Sequence, residues 1–81
     1  MKKKIYFKEK WDHILSDDKK HKTYVCEIYW KRFHFIPFMK KMNGTYDALS
    51  ARTLYLKYSA TYDVYVWDEV FSQFIPLKYI M

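Results

Sequence analysis

Apolar and polar residues alternate most regularly over residues 53–67. Leu54, Leu56, Tyr58, Ala60, Tyr62, Val64 and Val66 hold one parity, and the other parity is mostly polar. A period of two is the signature of a half-buried strand. At about 3.3 Å per residue, fifteen residues in one strand would reach roughly 50 Å. A domain of this size is only about 30 Å across. The pattern therefore predicts a hairpin that bends near residues 59–61, although no Gly or Asn marks a tight turn there.

The remaining elements follow from weaker patterns. Residues 3–8 alternate as a short strand with Ile5 and Phe7 on one face, and residues 9–15 read as a helical turn or two through Trp11, Ile14 and Leu15. Residues 16–22 are polar and charged, a loop. Residues 23–31 are rich in β-branched and aromatic side chains, which predicts a strand running on toward Phe35. A helix is the alternative, since Cys26, Tyr29, Trp30 and Phe33 share a helical face. Pro37 can open a helical turn over 37–42, with Gly44 closing it. A short helix over about 46–51 can follow, capped by Thr45. Beyond the hairpin, Val66, Trp67, Val70, Phe71, Phe74 and Ile75 recur at helical spacing until Pro76 stops them. The expected fold class is α+β: one small domain over 1–81, an antiparallel sheet of about three to four strands, and short helices.

Residues 48–58, Ala-Leu-Ser-Ala-Arg-Thr-Leu-Tyr-Leu-Lys-Tyr, resemble the turn and recognition helix of helix-turn-helix repressors. That motif needs apolar positions in a preceding helix. Asn43 and Asp47 stand there instead, and the period-two pattern reads as strand, so no fold or function is carried over from the match.

Composition then narrows the function. The chain has 81 residues with 22% aromatics, including nine Tyr, and a single Gly. One glycine excludes a glycine-rich phosphate loop and the dinucleotide fold built on it. Eighteen aromatic rings exceed what so small a core encloses, so some reach the surface as contact residues. Net charge is +6, and it is one-sided: residues 1–41 carry 12 basic and five acidic side chains. A one-sided basic field attracts polyanions. The basic positions are Lys2, Lys3 and Lys4; Lys19, Lys20 and Lys22; Lys31 and Arg32; and Lys40 and Lys41. Tyr6, Phe7, Trp11, Tyr24, Tyr29, Trp30 and Phe33 interleave with them. Lysines for phosphates and rings for stacking together make a single-stranded nucleic-acid site. Residues of AT-rich codons number 39 against eight of GC-rich codons, so base composition accounts for part of the Lys and Tyr excess.

Chemistry beyond binding has little support. His13, His21 and His34 lack metal-ligand spacing, Cys26 is the lone cysteine, and neither a metal nor a cofactor is expected. No motif orients a nucleophile or base, so no catalytic residue is assigned. The most credible enzyme would be a small metal-free ribonuclease using His34 or His13 as general base. Met1-Lys2-Lys3-Lys4 followed by Ile5-Tyr6-Phe7 has the outline of a secretory leader, but Lys8 interrupts its apolar core. No membrane span is long enough, and a single thiol suits a reducing cytoplasm.

The leading expectation is a non-catalytic binding protein. It would be a phage or mobile-element accessory that modulates or inhibits a host nucleic-acid-handling complex by stoichiometric binding. In the predicted hairpin, Tyr55, Tyr65 and Trp67 share a face around Lys57, a protein-contact patch that would also suit a homodimer. Direct binding of single-stranded RNA or DNA is the first alternative and the ribonuclease the second. The partner is then a host protein or ribonucleoprotein, or the nucleic acid itself.

Overall fold

The computed structural model describes residues 2–15 and 22–80, with backbone placement alone for 13–15, 22 and 23. Five strands form one mixed sheet: β1 (Lys3–Leu15), β2 (Lys22–Lys31), β3 (Lys40–Lys41), β4 (Tyr62–Asp68) and β5 (Gln73–Pro76). Their order across the sheet is β3-β2-β1-β4-β5. Strand β1 is central. It pairs antiparallel with β2 from Tyr6↔Lys31 to Leu15↔Lys22, and parallel with β4 from Lys3↔Tyr62 to Phe7↔Val66. The parallel pair corrects the expected all-antiparallel sheet. A parallel pairing needs a long crossover, here the chain through β2, β3 and the helix α1 (Ala48–Ser59).

The core lies between α1 and one face of the sheet. Ile5 and Phe7 of β1, Cys26 and Ile28 of β2, and Val64 and Val66 of β4 meet Ala51 and Tyr55 of α1 and Leu77. Phe7 is fully enclosed, with its ring 5.0 Å from that of Tyr55 and 5.6 Å from that of Tyr58. Helix α1 covers this face alone.

The short helix expected over about 46–51 is present and runs on to Ser59, so residues 53–59 are helix, not strand. Both periods are present there, and tertiary packing selects one. Ala51, Leu54, Tyr55 and Tyr58 make a stripe at helical spacing that faces the sheet, whereas Leu56, in phase with the strand reading, is exposed. Asp47 caps the helix by accepting from the Ser50 amide at 2.7 Å, so the start falls two residues after the expected Thr45 cap. The chain does break at residues 60–61, where the length argument puts a bend, but between a helix and a strand.

Three further expectations are corrected. Residues 9–15 continue β1 rather than coil, because each has a ladder partner on β2. Residues 37–42 form no helical turn; they belong to an irregular loop and to β3, which pairs Tyr29↔Lys41 and Trp30↔Lys40. Gly44 does take a positive φ of 100°, but in the turn that leads to Tyr46, not at a helix end. Tyr46 then exchanges backbone hydrogen bonds with Cys26. Residues 66–75 are not helical either. Val64 and Val66 follow the strand period into the core, Asp68 accepts from the Phe71 amide in a turn, and β5 returns alongside β4. Pro76 is tolerated because β5 is an edge strand. Among the described residues no helix is long and apolar enough to cross a membrane.

Phe7 tests this account. Truncating an enclosed Phe costs about 3–5 kcal/mol. A domain this small holds a net stability near the low end of about 5–15 kcal/mol. Phe7→Ala is expected to lose most of its stability, read as a urea midpoint shifted far down and a near-ultraviolet circular dichroism signal lost at low urea. A variant with an unchanged urea midpoint would refute the packing described.

Candidate functional site: the open face of the sheet

Strand alternation sends Ile5, Phe7 and Glu9 toward α1 and Lys4, Tyr6, Lys8 and Lys10 to the opposite face. Register fixes their neighbours. On β2, Lys31 lies beside Tyr6, Tyr29 beside Lys8 and Glu27 beside Lys10; on β4, Tyr65 lies beside Tyr6. Strand β5 adds Phe74 beside Trp67. The Tyr6 and Tyr65 rings stack at 5.3 Å, Phe74 meets Tyr6 edge-on at 4.9 Å, and Trp67 meets Phe74 edge-on at 5.0 Å. Three ammonium groups sit over these rings: Lys4 Nζ 5.6 Å from Tyr65, Lys8 Nζ 5.7 Å from Trp67 and Lys31 Nζ 5.0 Å from Phe74. Within about 6 Å of a ring centroid such a cation is held by the ring quadrupole.

Lys8, Lys10, Tyr29 and Lys31, with Glu69, line an open trough of about 900 Å³, bounded by Pro37 and Met39 on one side and Trp67 and Phe74 on the other; Lys4, Tyr6 and Tyr65 lie beyond it on the same sheet face. Loop 32–39 forms the first wall. Lys31 Nζ shapes it by donating to the carbonyls of His34 and Ile36 at 2.8 and 2.7 Å. Partial burial, with Lys8 nearby, holds the Lys31 ammonium below the ordinary lysine range. Across the sheet, Glu27 accepts from Lys41 at 2.8 Å and from the Tyr29 hydroxyl at 2.7 Å. Those two hydrogen bonds lower the Glu27 carboxyl from its usual value, Lys41 contributing most. Trp67 Nε1 is screened from solvent and has no acceptor among the described residues, an uncommon state for an indole donor.

The expected basic residues divide by this geometry. Lys4 stands over the open face. Lys31 faces it too, but its ammonium is engaged by the loop, and Lys41 is paired with Glu27. Lys2 donates to the Ser59 carbonyl at the end of α1. Lys3 shares the parity of Ile5 and is exposed, Lys40 lies 6.0 Å over Trp30, and Arg32 is exposed at the start of the loop. Lys19 and Lys20 lie outside the described residues, and Lys22 is placed only as the first residue of β2. Among the described residues, the basic clusters of the sequence therefore do not form one surface.

The expected protein-contact patch is split. Tyr65 and Trp67 are on the open face, but Tyr55 is 3% exposed in the core and Lys57 is on the outer side of α1. The Tyr55 hydroxyl donates to Glu9 Oε1 at 2.6 Å, while Trp11 Nε1 donates to Glu9 Oε2 at 2.8 Å. Burial and this carboxylate push the Tyr55 hydroxyl far above its usual range, so it remains a donor.

The sequence offers Arg32 and Phe33 of the loop as candidates, but not Lys8, Lys10, Phe35, Phe38 or Phe74. The phase of β1 was the available signal for the lysines: once Ile5 and Phe7 point inward, Lys4, Tyr6, Lys8 and Lys10 share the other side. His34 sits with its ring 6.0 Å from Tyr6 and 5.8 Å from Phe35. Among the described residues no three His, Cys, Asp or Glu side chains gather as metal donors.

Comparison with protein-family models, with curated proteins and with solved structures finds no match.

Cys26 provides a chemical check on the two-faced sheet. It is buried under α1, and burial, reinforced by Glu9 and Asp47, raises its thiol from 9.0 to about 11. Two units mean about a hundredfold less thiolate near pH 8. The folded protein is expected to resist iodoacetamide at that pH and to react in concentrated urea. Equal alkylation rates in both would place Cys26 on an exposed face.

Proposed function

We propose that the protein is a non-catalytic binding protein that acts by occupancy, and that its open sheet face holds single-stranded nucleic acid. One observation carries this reading: lysines and aromatic rings alternate across one sheet face, with ammonium groups 5.0–5.7 Å over the rings. Lys4, Lys8 and Lys10 offer phosphates a row of point charges along β1. Tyr29, Trp67 and Phe74 offer bases apolar surface. Lysine does not read base edges in the bidentate manner of arginine, so binding is tolerant of sequence. Base stacking of this kind also tolerates sequence, because every base has a π-face.

A stoichiometric complex with a host protein or ribonucleoprotein is the second reading. Exposed Val70 and Phe71 in the turn between β4 and β5 favour it. Either mode suits a phage or mobile-element accessory protein working in a reducing host cytoplasm, where a lone thiol persists.

Fluorescence anisotropy with labelled oligothymidylate and oligouridylate at about 50 and 200 mM salt separates the two. Each phosphate contact contributes about −0.7 to the log–log salt slope for single strands. Three lysines predict a slope near −2, and Lys8→Ala is expected to flatten it by about 0.7. No binding at either salt, with a partner protein retained after nuclease treatment, would reject the nucleic-acid reading in favour of the second.

A further inference from the structure

Loop 32–39 carries the most exposed aromatic group of the molecule. Phe33, Phe35 and Phe38 are 52%, 73% and 70% exposed. Such exposure is costly in water, and a contiguous apolar patch of this kind marks a contact surface. The backbone beneath the rings is tied down. Lys31 Nζ holds the carbonyls of His34 and Ile36, and the Ile36 amide donates to the Phe33 carbonyl at 3.2 Å. The Phe33 and Phe35 rings stack on each other at 5.4 Å, with planes 26° apart.

This pair continues the aromatic row of the trough. From Trp67, ring contacts pass to Phe74, Tyr6, His34, Phe35 and Phe33 without a break, each centroid 4.9–6.0 Å from the next. A second cavity of about 480 Å³ opens beside the pair, lined also by Lys3, Lys4 and Arg32. The charge there is one-sided: between Glu27 and Asp47 the sequence holds no carboxylate, but it holds Lys31, Arg32, Lys40 and Lys41. Asp63 is the nearby acid, paired in register with Lys4. Like charge opposes covering this loop with a second copy of itself, and it favours an anionic occupant.

We infer that the Phe33–Phe35 pair is an end subsite for single-stranded nucleic acid. A base beyond the trough stacks on it, and the adjoining phosphate meets Arg32 and Lys3. This rests on the reading that the trough holds the strand. It extends the footprint past Lys4, the last cation of a β1 row that spans about 20 Å from Lys10, at 3.3 Å per residue. A strand long enough to reach the loop gains one further stacking contact, and a shorter one does not.

Affinity for oligothymidylate is measured across lengths from about four to about ten nucleotides, the range of small single-strand sites. The wild type is expected to gain affinity in two steps. Phe33→Ala/Phe35→Ala is expected to leave the first step and lower affinity for the longer strands about tenfold, the size of one stacking contact. Phe35→Trp should keep the second step and Phe35→Leu should lose it, which separates stacking from simple apolar contact. Both rings are exposed, so these variants should retain the wild-type circular dichroism spectrum.

Three results would overturn the inference. If the double alanine variant binds long strands like the wild type while Lys8→Ala weakens them, the trough reading stands and the subsite fails. If the wild type binds no oligonucleotide, both fail together. If sedimentation shows a dimer that the double variant dissociates, the rings are covered by a second copy.

Discussion

The structure depends on the phase of one strand. Strand β1 is hydrogen-bonded to β2 on one side and β4 on the other, so its side chains must serve two faces at once. Ile5 and Phe7 close the core under α1, and Glu9 anchors the Tyr55 hydroxyl. Lys4, Tyr6, Lys8 and Lys10 build the platform behind it. A slip of one residue would send the lysines into the core and expose Phe7. Phe7 fixes that register: it is fully enclosed, and no charged residue could replace it there. The same burial that stabilises the fold therefore gathers the cations and rings on one sheet face.

The two faces differ in how they are satisfied. On the covered face the polar groups are few and paired: Tyr55 with Glu9, Glu9 with Trp11, and the Cys26 backbone with Tyr46. Paired groups of this kind leave little chemistry for a ligand. On the open face Tyr6 is buried by its neighbours, Tyr65, Trp67 and Phe74 are half-buried, and Lys4, Lys8 and Lys31 sit over π-surfaces, while Lys10 and Lys41 lie beside Glu27. A lysine over a ring keeps much of its field for an incoming anion. Lys31 is the exception that organises the rest, since its ammonium holds the loop that walls the trough.

About half of the architecture was legible in the sequence, and the physical reasons for the remainder are specific. Strand β2 and the strand through Val64 and Val66 follow from β-branched and aromatic runs with the correct period. The break at residues 60–61 follows from length alone. The start of helix α1 is legible, but its run past residue 52 is not, because Leu54, Leu56 and Tyr58 satisfy a period of two while Ala51, Leu54, Tyr55 and Tyr58 satisfy the helical one. Only packing against the sheet decides between them. The stretch from Val66 to Ile75 failed in the opposite sense: apolar residues at helical spacing, Val70 and Phe71, turned out to be an exposed turn. Of the site, Lys4, Tyr6, Tyr29, Lys31, Tyr65 and Trp67 are among the candidates the sequence offers. Phe74 and the course of loop 32–39 are not, because their place depends on pairings between β5 and β4 and between Lys31 and loop carbonyls that no local pattern encodes.

The central claim is that ligand meets β1 on one side only. Backbone and side-chain NMR shifts during titration with a short oligothymidylate test it most directly. The account predicts large shifts for the side chains of Lys4, Tyr6, Lys8 and Lys10, with Trp67 and Phe74, and small ones for Ile5, Phe7 and the outer side of α1. Shifts centred on Arg52 and Lys57 of the helix, or none at all, would contradict it.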